Sequence, residues 1–153
     1  MRSRILLSDG AFLLVAGTVQ VVLELLGYFA GRGIWGHVLA HSPYTIGWVE
    51  AHGLAVLIGL LLVVIARRDG RRYWHGFALA VHLLLGAANL VFWQSFVTFA
   101  IVPVGVGTTI AHGMFAVAQT ACLTIRGRPA TATGQRKCPA PSASTTGPSA
   151  SRI

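Results

Sequence analysis

Charge is what this chain has least of. Charged side chains make up 10% of its 153 residues and only four of them are acidic, against 54% hydrophobic residues and a mean hydropathy of +0.68. That leaves too little polar surface to coat a soluble globule of this size, so the composition points to lipid. Cysteine is scarce too. Cys122 and Cys138 form no C-x-x-C or other ligand spacing, and both read as unpaired, reduced thiols. No H-E-x-x-H, no C-x-x-C-H, no glycine-rich phosphate loop and no nucleophile next to a base can be found, which leans the reading away from an enzyme. The 12 Lys and Arg lie between and beyond the apolar runs, so they read as topology signals and not as a nucleic-acid surface.

Long apolar runs are what the chain does have. Four of them, at about 10–30, 48–66, 74–98 and 107–125, are long enough to span a bilayer, and they predict an all-α, four-transmembrane-helix bundle over residues 1–126. The first run is too long for a secretory signal and holds Gln20 and Glu24, so it is expected to remain as a helix. Arg2 and Arg4 precede the first run, Arg67, Arg68, Arg71 and Arg72 separate the second from the third, and Arg126, Arg128, Arg136 and Lys137 follow the fourth. The positive-inside rule then places both termini and the arginine loop in the cytoplasm, in a multi-pass protein of a bacterial-type inner membrane. Tyr28, Trp35, Tyr44, Trp48 and Trp93 fall near the outer boundary, and Tyr73 and Trp74 near the inner one. Ser42-Pro43 interrupts any helix in the outer loop. Residues 127–153, rich in Pro, Ala, Ser, Thr and Gly, read as a disordered cytoplasmic tail.

A hexad recurs: Ala51-His52-Gly53 in the second run and Ala111-His112-Gly113 in the fourth, sixty positions apart. Extending that alignment sets Glu24 against Leu84 and Glu50 against Ile110, so the likeness stops at the hexads. His52 lies 15 residues before Arg67 and His112 14 before Arg126, which puts both imidazoles roughly 21 to 23 Å above an arginine layer. Glu24 and Asn89 fall at a similar depth by the same count, Glu50 lies just above, and His82 lies about 10 Å nearer the cytoplasm on the Asn89 face.

Each run also carries a polar stripe at helical spacing. The first has Gly17, Gln20, Glu24, Gly27 and Tyr28, the third His75, His82, Gly86, Asn89 and Trp93, and the fourth Gly105, Thr108, His112, Ala116 and Gln119. Such seams turn inward in lipid, where small residues allow close approach and polar groups find partners. The expected ligand or proton site is therefore Glu24, Glu50, His52, Asn89 and His112 in the outer half of the bundle, with Gln20, His82 and Gln119 in support. Four readings of that layer stay open: interhelical hydrogen bonds that simply hold the bundle, a site for a small hydrophobic ligand or partner in an accessory protein, proton-coupled transport through Glu24, and haem or metal held by His52 and His112. Expected partners are the bilayer and such a ligand. A second copy of the chain or a membrane-complex subunit remains open, and nucleic acid is not expected.

Four helices, a glycine-rich first pair and Gly47-Trp48-Val49-Glu50-Ala51-His52-Gly53-Leu54-Ala55 opening the second run are similar to small bacterial DoxX-like membrane proteins. The resemblance covers about residues 8 to 125 and implies the four-helix fold; it implies no defined activity. A glutamate in the first helix also resembles the small multidrug-resistance transporters, which exchange protons for cations, but the His-Gly hexads are foreign to that family.

Overall fold

A computed structural model describes residues 2–68 and 71–125. Among these residues the chain is all-helical, in the order α1 (Arg2–Ala30), α2 (Gly36–Leu39), α3 (Thr45–Arg68), α4 (Arg72–Val91), α5 (Trp93–Thr98) and α6 (Val102–Thr124). Three helices, α1, α3 and α4, are long and apolar enough to cross a membrane. At 23 residues α6 is of similar length, and it carries His112, Gln119 and four threonines among its apolar side chains. The tail expected at 127–153 lies outside the described residues.

The sequence boundaries shift in instructive ways. The first helix begins at Arg2 and not near residue 10, so Asp9 lies inside it by about 10 Å of rise. The third run divides at Phe92, where φ of −98° and ψ of 26° leave the helical region, into α4 and the short α5. The last helix starts at Val102, five residues earlier than the apolar run suggests. Pro103 sits in its first turn, where a missing N–H costs nothing because that donor has no intrahelical partner. The Ser42-Pro43 break falls between α2 and α3, as expected.

The long helices pair as two antiparallel hairpins, α1 with α3 and α4 with α6. The first hairpin is seamed by glycine. A Cβ on Gly10 would lie 2.7 Å from the Gly59 carbonyl oxygen, one on Gly59 would lie 2.5 Å from the Leu14 nitrogen, and one on Gly17 would lie 2.9 Å from the His52 oxygen. Backbone therefore meets backbone along α1 and α3, as small residues permit in an apolar solvent. Apolar contact fills the two ends. Leu6, Leu13, Leu62 and Ala78 form a core near the arginines, with Phe12 and Trp74 against it. At the other end Trp35, Leu39 and Ile101 are buried against Trp48 and Phe96. Two guanidinium groups fix the register of α6: Arg2 donates to the Ile125 carbonyl and Arg72 to that of Leu123, satisfying acceptors at the helix C-terminus with positive charge.

A carboxylate-histidine core beside a cavity

The register set by those arginines carries Gln119 and His112 inward against α4. Heptad spacing on α4 then lines up three polar rungs. His75 Nδ1 is 2.5 Å from Gln119 Oε1, His82 Nδ1 is 2.9 Å from His112 Nδ1, and Asn89 Nδ2 donates to Thr108 Oγ1 at 3.1 Å. Helix α1 closes onto this ladder with Asp9. Its Oδ1 is 2.7 Å from His82 Nε2, and its Oδ2 accepts from Gln119 Nε2 at 2.5 Å. Asp9, His75, His82 and Gln119 are all essentially inaccessible to solvent.

The inventory of donors settles most of the hydrogen positions. Gln119 donates its amide N–H to Asp9, so its Oε1 must accept from His75, which then carries its proton on Nδ1. The other His75 nitrogen is buried without a partner, consistent with an unprotonated Nε2. As a carboxylate, Asp9 accepts from Gln119 and from His82 Nε2–H. One proton then lies between the Nδ1 atoms of His82 and His112, since two bare nitrogens would repel at that distance. The His82 ring also stacks on Phe115, with centroids 5.0 Å apart and planes 15° apart.

A second carboxylate-histidine pair lies within the first hairpin. Glu24 of α1 is fully buried and its Oε1 is 2.5 Å from His52 Nδ1 on α3, while Oε2 has no hydrogen-bond partner. An uncompensated carboxylate in an apolar interior is costly, so the histidine is what holds Glu24 there. Among the described residues no group of three or more His, Cys, Asp or Glu is placed to hold a metal ion.

Between the hairpins lies a cavity of about 390 Å³. Its wall is mostly apolar, and the polar groups on it are few: His52 and Gln20 from the first hairpin, His112, Asn89 and Thr108 from the second. Trp35 and Trp48, edge to face with centroids 5.1 Å apart, also line it, and Trp35 Nε1 donates to Gln20 Oε1 at 3.3 Å. A neighbouring hollow of about 360 Å³ shares Trp48, His52, Asn89 and Phe96 with it and extends toward Ile101.

Of the residues singled out in the sequence, His52, Asn89, His112 and Gln20 meet at this cavity. Glu24 stands one hydrogen bond behind His52, and His82 one behind His112. Glu50 is exposed and not part of the cavity wall. Gln119 belongs instead to the Asp9 network below it. Asp9 itself is the residue that sequence reasoning passed over, because it lies just before the first apolar run. Its signal was present: Asp9, Leu13, Gly17, Gln20 and Glu24 recur at spacings of three and four, on the stripe already recognised. Both hexad histidines reach the cavity, whereas their glycines, Gly53 and Gly113, have nothing within 4 Å of an added Cβ. No family model matches the chain, and no curated protein or solved structure matches it significantly.

Proposed function

We propose that this is a DoxX-like integral membrane protein of a bacterial inner membrane, without catalytic activity of its own, that holds a small hydrophobic ligand in the cavity between its two hairpins. In this reading α6 is the fourth span, and the arginine distribution puts both termini and the α3–α4 loop on the cytoplasmic side. The observation that carries the proposal is the 390 Å³ cavity, whose apolar wall bears a small set of convergent polar groups; ligand sites are typically built that way. The test is mass spectrometry of lipophiles that co-purify with the protein, in the natural chain and in Ala55→Phe, which fills the cavity from α3. A defined molecule present in the first and lost in the second is expected. The same extract from both would reject the proposal.

One observation favours a second reading. His52 and His112 each have Nδ1 engaged, by Glu24 and His82 respectively, which leaves Nε2 as the available ligand nitrogen on both; hydrogen-bonded support at the other ring nitrogen is the usual outer-shell arrangement of metal-bound histidine. Haem ligated by this pair predicts a Soret band in purified protein that disappears when either histidine is replaced. A colourless preparation that folds normally sinks it.

A further inference from the structure

The two carboxylates and the two cavity histidines share an orientation. On the first hairpin the order from the packed interior to the cavity is Glu24 and then His52; across the cavity it is Asp9, His82 and then His112. His52 and His112 form part of the cavity wall, and neither carboxylate does. Each acid is hydrogen-bonded behind an imidazole, so when a proton is held on either relay the negative end stays inside the protein and the positive end meets the cavity. No acidic side chain on the wall opposes that field. The remaining ionisable neighbours do not reverse it: His75 on α4 lies behind Gln119, on the far side of Asp9, and Glu50 on α3 is exposed away from the wall.

We propose that the cavity takes a lipophilic weak acid, its apolar chain among the leucine, phenylalanine and tryptophan side chains and its carboxylate between the imidazolium groups of His52 and His112. This deepens the ligand-binding reading above and rests on it. Carboxylate bound to imidazolium makes a charge-assisted hydrogen bond, and a dry apolar setting strengthens it. With His82 Nε2–H held by Asp9, His82 Nδ1 accepts from His112 Nδ1–H, and a further proton on His112 Nε2 makes the imidazolium that meets the ligand; Asp9, His82 and Glu24 are positioning residues that act through the two histidines. No bond to carbon is made or broken. The ligand enters as an anion, and one proton is taken up for each of the two histidines that begins neutral.

The test uses the full chain in lipid nanodiscs with three probes of equal chain length: decanoate, decanol and decylamine. Saturable binding is measured against empty nanodiscs and followed through ¹⁵N-labelled histidine resonances. Decanoate is expected to bind about tenfold more tightly than decanol, with decylamine weakest. Because proton uptake accompanies binding of the anion, decanoate affinity should fall as pH rises while decanol affinity stays level. His112→Gln and His52→Gln should each weaken decanoate about tenfold and leave decanol within about twofold. Asp9→Asn, which keeps the side-chain size, should shorten the alkaline end of the decanoate range and leave decanol unchanged, a result that loss of packing alone would not give. If a variant does not fold, the probe ratio and the pH profile of the natural chain decide. Decanol binding as tightly as decanoate, or decylamine binding best, overturns the acid-ligand inference and leaves the cavity reading standing. No saturable binding of any probe overturns both.

Discussion

The two hairpins are held together by different forces. Along α1 and α3 the glycines at 10, 17 and 59 bring backbones into contact, and a single polar pair, Glu24 with His52, is set into that seam. Along α4 and α6 the seam is looser, since a Cβ on Gly86 would reach only the His112 Cβ, at 3.6 Å, and three polar rungs span it instead. The first hairpin relies on dispersion and close fit, the second on hydrogen bonds between side chains. Where the backbones approach closely no room is left for a ligand, and where polar side chains hold the helices apart a cavity can form beside them.

That contrast can be broken most severely at Gly59. Gly59→Val drives a branched side chain into backbone atoms of α1 and should cost about 3 kcal/mol or more, which thermal unfolding in detergent would register as loss of folded protein. Gly113→Ala, facing open space, should leave the midpoint unchanged or raise it slightly. Equal effects at the two positions would remove the basis for calling the first seam close-packed. Comparable in size is Asp9→Leu, which strands donors of His82 and Gln119 in the interior and should destabilise by about 3 kcal/mol, with Asp9→Asn markedly milder. Glu24→Gln sharpens the question of role. It keeps the side-chain shape and a hydrogen bond to His52, so the fold should lose about 1 kcal/mol, while the positioning role of Glu24 predicts weaker decanoate binding with decanol unchanged. If proton-coupled transport were the activity, the same variant would fold normally and fail in a liposome flux assay. The smallest effect is expected at Asn89→Leu, which removes one rung and should cost about 0.6 kcal/mol.

Much of this was legible in the sequence because membrane helices obey two simple rules, length and inward-facing polarity. The stripes on the first, third and fourth runs named the side chains that turn inward, and the matched depths of His52 and His112 anticipated that both would reach one cavity. Helix ends were less legible. A hydropathy run measures what lipid will dissolve, whereas a helix continues until a backbone signal stops it, so Arg2 to Asp9 joined α1 and Val102 to Val106 joined α6. The error hid Asp9, which looked like a boundary residue and is a buried carboxylate. Partner choice was the least legible part. Asp9 and His82 are 73 positions apart, and the rotation of α4 against α1 that joins them depends on packing that no single run encodes. Glu50 shows the converse, since depth alone cannot say which side of a helix faces the lipid.

The contact of Arg2 with the Ile125 carbonyl has a topological consequence. It brings the two ends of the described helical chain side by side, so a short linker from Ile125 back to Arg2 would close the fold into a ring with little strain. New ends could then be opened in the Ala40–Tyr44 connection, a turn segment between α2 and α3. In that permuted order α3 leads, and the two hairpins become α3 with α1 around an interposed α4 and α6. Each helix keeps its neighbours while the order in which they leave the ribosome changes, separating what the packing requires from what the order of synthesis supplies.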